Sequence, residues 1–398
     1  MAKLRYGNVT FKGRLAGILS ETAIGSGGTE FVYADDAPEI ACALPRETRV
    51  HRWASGIHPV FAHLAPEGWL RNRQAAVADA DTEDDFGLLL AFGADCIGAI
   101  GIEDPEHHGQ DFTLTEGATE ETRAIAAGHR TISGVQAKLL CEKAGDRYEP
   151  AGRDDAAPII AKFARDDLAD LVGNEAVSLE LVRILLPKDE VATFRRGMVA
   201  RVDRPALLVD RFDRAGTNHR QKLRCEDFAQ VLAIPPGRDR KAKYQVSYDR
   251  LADALRYSAA PAIDAFILYK RLVAFCLIGN TDCHLKNWSL LETSRGLRLS
   301  PIYDVLNGYI YGREGYSTRF GLLDRGNEVQ WEDYDRDRLI EVGRAIGLTP
   351  KAIERAFKEI ATTEEAVKTR LQGSLYLGEE RTTDYRTSVL QKWEQIYG

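Results

Sequence analysis

The residues best suited to chemistry lie in Ile278-Gly279-Asn280-Thr281-Asp282-Cys283-His284-Leu285-Lys286-Asn287, where an apolar run ends and Asp282 precedes Asn287 by five positions. A second acid follows in Ser300-Pro301-Ile302-Tyr303-Asp304. This set suits phosphoryl transfer: Asp282 would orient an attacking hydroxyl, while Asn287 and Asp304 would hold Mg²⁺ on the phosphates. By itself the Asp-x₄-Asn spacing equally describes a polar loop capping a helix.

The elements that must position these residues bear on the choice. Tyr269, Leu272, Val273, Phe275, Cys276 and Ile278 are spaced as a buried helix running into the loop. Trp288-Ser289-Leu290-Leu291 predicts a strand, Ser294-Arg295-Gly296 a turn and Leu297-Arg298-Leu299 the return strand. Helix, polar loop, hairpin and Asp is the order of a protein-kinase catalytic segment, here without the His-Arg before the first Asp or the Phe-Gly after the second.

A kinase also needs a loop over the phosphates, a Lys to meet them and an acid to hold that Lys. Thr131 to Lys138, with Ser133, Gly134, Val135, Gln136 and Ala137 between, could form the loop, and an ordinary turn into a strand is the alternative. Lys162 lies inside the apolar strand Ile159-Ile160-Ala161-Lys162-Phe163, where a Lys is rarely left unpaired unless it snorkels to water. Glu175 begins the next helix; it could pair with Lys162 or simply favour the helix dipole. Asp210-Arg211-Phe212 ends a buried strand, where a hinge for adenine or a plain strand exit would fall. Cys283-His284 and His107-His108 have no second pair at a metal-ligand spacing, and Trp53, Trp69, Trp331 and Trp393 are expected to pack.

The 398 residues carry a net charge of −7, which argues against a chain that coats nucleic acid alone. The basic clusters 211–224 and 238–243 are short and mixed with acids. No apolar run reaches the ~20 residues of a membrane span, and the N-terminus lacks a signal-peptide core. The six cysteines are scattered, which fits free thiols in a reducing cytoplasm. Residues 1–110 predict short strands and turns, with helices near Val60–Ala76 and over Asp85–Phe92, and a loop at Gly25-Ser26-Gly27-Gly28. A polar, acidic linker follows at 104–122. Residues 123–225 predict a mixed α/β lobe, with strands at 159–163 and 206–212 and a helix over Asn174–Leu186. Residues 226–398 predict a mainly helical lobe. It ends in three helices starting near Glu332, at Thr349-Pro350 and near Thr382.

At this point the chain resembles the HipA-like serine/threonine kinases, toxins of bacterial type II toxin–antitoxin systems. The likeness rests on Phe61–Arg71 with Pro66-Glu67-Gly68, on Asp85–Ala99, on Thr131–Lys138 against a Ser-Ile-x-Gly-x-Gln-x-Lys loop, and on Ile278–Leu290 against a Gly-Asn-x-Asp-x-His-x-Lys-Asn-Phe-Ser loop. Val209–Arg214 and Tyr303-Asp304 also fit. The resemblance implies an α+β, two-lobed protein-kinase-like fold with a small β-rich N-terminal subdomain. It implies Asp282 as catalytic base, Asn287 and Asp304 as Mg²⁺ ligands, Lys162 on the ATP phosphates, residues 133–138 as phosphate loop and Asp210–Phe212 as hinge. His284, Lys286 and Tyr303 would lie near the nucleotide, and the activation segment would run from Asp304 to about Leu323. It further implies transfer to an aminoacyl-tRNA synthetase, the glutamyl enzyme first, autophosphorylation in the phosphate loop, and a helix-turn-helix antitoxin (HipB-like) through which alone DNA is met. The family's autophosphorylated Ser aligns with Thr131, and Ser133 offers a second hydroxyl. A kinase of another substrate, a small-molecule kinase and a non-catalytic antitoxin partner are the competing readings.

Overall fold

The structure, a computed structural model, describes residues 3–23, 27–106, 111–114, 116–165 and 167–398. Gly25, Ser26, His107 and His108 lie outside the described residues. The expected α+β class holds: mainly antiparallel sheets and helices divide between two compact units, 1–163 with 197–236, and 164–196 with 237–398.

The first unit opens with β1 (Tyr6–Phe11), β2 (Arg14–Glu21), β3 (Thr29–Tyr33), β4 (Val50–Trp53) and β5 (Ile100–Glu103), a sheet in the order β4-β3-β2-β1-β5. Alternation puts Gly7, Val9 and Phe11 of β1, and Thr29, Phe31 and Tyr33 of β3, on the buried face. Helix Asp85–Phe92 adds Phe86 and Leu89 to that core, and it starts where the Asp84 carboxylate accepts the Gly87 N–H. The helix expected near Val60–Ala76 is two helices, Pro59–Ala62 and Gly68–Ala78. Pro66 lacks an N–H and forces its neighbour extended, and Gly68 at φ +52° turns the chain before the second helix begins.

A second sheet closes into a barrel, β10-β8-β6-β7-β9. It comprises β6 (Lys138–Ala144), β7 (Arg147–Pro150), β8 (Ile159–Phe163), β9 (Phe194–Val199, entering this unit at Gly197) and β10 (Arg204–Asp210). Only β8 and β10 were expected from sequence. The others carry weak alternation: β9, Phe-Arg-Arg-Gly-Met-Val, buries only Val199 fully.

The second unit is mainly helical, around the buried helix Pro261–Ile278 and the hairpin strands Ser289–Thr293 and Gly296–Leu299. Its C-terminal part holds four helices, Arg336–Ala345, Pro350–Ala361, Glu364–Gln372 and Glu379–Tyr397, where three were expected. The additional one, Glu364–Gln372, buries only Val367 and Leu371, too few apolar positions to show a period. All six cysteines are free and buried. Among the described residues no helix is long and apolar enough to cross a membrane.

Candidate active site

In the second unit the helix Pro261–Ile278 stops at Gly279, whose φ of +84° lets its N–H reach back to the Phe275 and Cys276 carbonyls. The chain then makes a tight loop. Asn280 Oδ1 accepts the Asp282 N–H at 3.3 Å, and the Asp282 carbonyl accepts the His284 N–H at 2.8 Å and Asn287 Nδ2 at 2.7 Å. With its amide nitrogen committed there, Asn287 is left with Oδ1 as the atom able to meet a cation. The loop leaves through a 3-10 turn, Leu285–Asn287, into the hairpin. Tyr303 Oη ties the two ends together, donating to the Lys286 carbonyl at 2.8 Å and lying 2.5 Å from Ser289 Oγ. Tyr303 and Lys286 therefore have a structural link in addition to any ligand role.

The hairpin returns the chain to Asp304, which adopts φ +57°. A non-glycine residue held in the left-handed region is strained, and such strain concentrates at functional positions. The segment beyond is anchored by side chain to backbone: Asn174 Nδ2 donates to the Asn307 carbonyl at 3.0 Å, and the Asn307 N–H donates to Asn174 Oδ1 at 2.7 Å.

The Asp282 carboxylate is one-fifth exposed. Burial pushes its pKa above the ordinary value. The Tyr244 hydroxyl, the Lys243 charge and the Tyr316 hydroxyl oppose that shift, while Asp304 reinforces it. Tyr244 Oη donates to Asp282 Oδ1 at 2.5 Å, His284 Nε2 lies 4.0 Å from the same oxygen, and the Tyr244 ring meets His284 edge-on at 4.7 Å. Arg165 also feels the Asp282 and Tyr316 charges. Sequence reading missed Tyr244, Tyr316, Lys243 and Arg165; only the basic run at 238–243 pointed at this neighbourhood.

In the first unit the expected phosphate loop folds over its own lysine. Lys138 Nζ donates to the Ser133 carbonyl at 2.9 Å, and Gly134, at φ +115°, makes room: a Cβ there would lie 2.3 Å from that ammonium. Gln136 Nε2 donates to the Phe163 carbonyl at 2.8 Å, Ala137 is buried and Val135 is exposed. Lys138 and Lys162 are direct cross-strand partners on β6 and β8, 5% and 6% exposed. Thr131 is wholly buried. Ser133 is partly exposed, its hydroxyl donating to Glu67 Oε1 at 3.1 Å.

The expected hinge is largely committed. Asp210 pairs with Ile159 on β8, the Arg211 N–H donates to the Pro158 carbonyl at 2.8 Å, and the Arg211 guanidinium is buried on Asp213 and the Cys96 carbonyl. Arg214 joins the same cluster through Asp213 and Asp95. Glu175, in the second unit, sits one turn inside helix Leu171–Leu185 instead of starting it, and is 1% exposed. Burial that deep removes the surface-dipole explanation for this acid.

The donor set fits Mg²⁺ held jointly with phosphate. Among the described residues no group of three or more His, Cys, Asp or Glu could hold a metal. An amide oxygen and a carboxylate, Asn287 and Asp304, are the hard ligands a nucleotide-bound Mg²⁺ takes from protein.

Comparisons with known proteins give the family and the fold. Residues 130–367 match the HipA-like C-terminal domain and residues 7–103 the HipA N-terminal domain. The chain belongs to the HipA family. It is 31% identical over 66% of its length to Putative kinase Y4dM of Sinorhizobium fredii, spanning 66% of that protein. It is 28% identical to the Serine/threonine-protein kinase toxin HipA of Shewanella oneidensis, over 46% of this chain and 44% of the relative. Its fold matches, with a TM-score of 0.73 and 20% identity, HipA in the Shewanella oneidensis MR-1 complex of HipA, HipB and operator DNA, covering 98% of this chain and 97% of that one. The fold is thus the two-lobed kinase-like one expected.

Proposed function

We propose that this chain is an ATP- and Mg²⁺-dependent serine/threonine protein kinase acting as the toxin of a toxin–antitoxin module. The observation that carries the reading is the loop closed on Asp282. A partly buried carboxylate, an amide whose free oxygen is Asn287 Oδ1, and a strained Asp304 occur together in a chain of the HipA family.

Asp282 accepts the proton of the acceptor hydroxyl and orients its oxygen. Asn287 and Asp304 hold Mg²⁺, which when bound neutralises phosphate charge during transfer. Lys138 and Lys162, opposed across β6 and β8, meet the phosphates of ATP, and the loop 133–138 covers them. Arg211 contributes by fixing the strand end at Asp210–Phe212, so adenine contacts there fall to backbone groups. His284 buttresses Asp282, and Glu175 is the acid assigned to Lys162. The domains follow as 1–110, a nucleotide lobe at 123–225 and a helical lobe at 226–398.

The acceptor is a serine of an aminoacyl-tRNA synthetase, glutamyl first, in the cytoplasm. A HipB-like helix-turn-helix antitoxin is the partner that brings the chain to DNA. Of the two self-modification candidates, burial favours Ser133, because Thr131 must first leave its pocket. A phosphate there adds a charge of about −2 where ATP phosphates bind.

Incubation of the full chain with ATP and Mg²⁺, followed by intact and peptide mass spectrometry beside Asp282→Asn, tests the reading. One added phosphate on Ser133 or Thr131, absent from the variant, is expected. Equal phosphorylation of a folded Asp282→Asn would refute the base.

A further inference from the structure

We propose that Tyr244 is an internal plug on the acceptor side of Asp282: its hydroxyl stands where the substrate hydroxyl must dock, and the resting chain transfers phosphate slowly until Tyr244 is displaced. This inference rests on Asp282 being the base.

Tyr244 Oη donates to Asp282 Oδ1 at 2.5 Å. An acceptor hydroxyl poised for transfer has to make the same bond, within about 2.6–3.2 Å. The Tyr316 hydroxyl also acts on this carboxylate, and His284 Nε2 stands 4.0 Å from Oδ1. Two phenols therefore face the one carboxylate that an incoming serine must reach.

The plug is held firmly enough to matter and loosely enough to leave. The Tyr244 ring lies edge-on to His284 at 4.7 Å, and the Arg319 guanidinium stands 5.4 Å from its centroid. Arg319 is in turn paired with the exposed Glu328. Tyr244 ends a single 3-10 turn, Ala242–Tyr244, just after Asp239 and Arg240, which have φ of 53° and 55°. Such a segment has no helix or sheet ladder to lose when it shifts. Its exposed Lys241 and half-buried Arg240 give an acidic protein surface a handle with which to pull it, while Lys243 is buried beside Asp282.

With Tyr244 displaced, the substrate hydroxyl donates to Asp282. Its oxygen bonds to the γ-phosphorus of ATP, the bond from that phosphorus to the ADP oxygen breaks, and the proton passes to Asp282. With Tyr244 in place, the same lone pair of Oδ1 is already filled.

The test compares the wild-type full chain, Tyr244→Phe and Asp282→Asn for phosphate release from ATP and Mg²⁺ with water as the acceptor, alongside phosphorylation of dephosphorylated casein. Loss of one hydrogen bond to a charged group predicts release about ten-fold faster in Tyr244→Phe, with an unchanged KM for ATP. Rates equal to or below wild type would overturn the plug, and a fall in kcat would make Tyr244 a positioning residue instead. Tyr244→Leu, which also removes the hydroxyl, guards against an effect peculiar to Phe. Asp282→Asn separates the two readings. If it stays active, the base assignment fails and the plug with it. If it is silent while Tyr244→Phe is no faster, the plug alone fails.

Discussion

Asp264 fixes the geometry of the proposed catalytic loop from a distance, and removing its carboxylate should show how strongly. It lies in the first turn of helix Pro261–Ile278 and is 1% exposed. Arg298 donates to it through Nε at 3.0 Å and Nη2 at 2.7 Å, the Ser258 hydroxyl at 2.5 Å and the Leu299 N–H at 3.2 Å. Arg298 and Leu299 belong to the return strand of the hairpin that runs from Asn287 to Asp304, so one carboxylate pins the hairpin to the helix. Asp264→Ala leaves a buried hydroxyl and an N–H without their acceptor. Breaking a buried charged pair costs about 3–5 kcal/mol, and the 29% exposure of the Arg298 side chain, which lets water take up part of its charge, puts the expectation near the lower end, about 3 kcal/mol. For a unit of this size that is a fall in Tm of about 6–12 °C. Asp264→Asn keeps one acceptor oxygen but loses the charge and sets an amide nitrogen against one group of donors, so it should cost about 1–2 kcal/mol, less than Asp264→Ala. Thermal unfolding of both variants, read beside phosphorylation by the fraction still folded, checks the pair. A loss below about 1 kcal/mol in Asp264→Ala, or equal losses in the two, would refute the argument that this carboxylate holds the hairpin.

Further outcomes follow from the same loop. Because burial holds the Asp282 pKa above the ordinary carboxylate value, activity should fall as pH drops through that raised value, earlier than for a solvated Asp. Tyr244→Phe removes a bond that favours the charged form and should move this acid limb further up. The native state then binds more protons than the unfolded state between the two pKa values. Stability should therefore decline as pH rises through that window, and Asp282→Asn should melt higher than wild type at neutral pH, as scanning calorimetry would show. Gly279→Ala places a Cβ at φ +84° and 2.6 Å from Asn307 Oδ1, so it should cost about 1–3 kcal/mol and lower phosphorylation by displacing the segment after Asp304; unchanged stability in urea unfolding would contradict this.

The proposed catalytic loop was readable because its neighbours are local and periodic. Leu272, Phe275, Cys276 and Ile278 mark the helix, and the Ser294-Arg295-Gly296 turn marks the hairpin, so the placing of Asp282, Asn287 and Asp304 along the chain followed. The surroundings of Asp282 were not readable. Tyr244 and Tyr316 arrive from a 3-10 turn and an irregular segment, which carry no period, over sequence separations that only tertiary structure resolves. Lys162 stood out as a charge inside an apolar strand, yet its partner in register, Lys138, depends on the pairing of β6 with β8, which no local pattern reveals. The strand exit at Arg211 was likewise placed by the local pattern, but the buried ion cluster that its guanidinium closes with Asp213 was not legible, because its members come from distant segments.

The buried cysteines make the chain its own unfolding reporter. Cys42, Cys96, Cys141 and Cys225 lie in the first unit, Cys276 and Cys283 in the second. Burial pushes the thiols of Cys96, Cys141 and Cys276 up to about 12, and those of Cys42 and Cys283 in the same direction. Iodoacetamide needs both access and thiolate, so the native protein should resist it, and each alkylated position records an opening event of the unit that contains it. A pulse of reagent along a urea series, read by peptide mass, would order the melting of the two units without any added label, and would show whether nucleotide protects the Cys283 loop ahead of the rest.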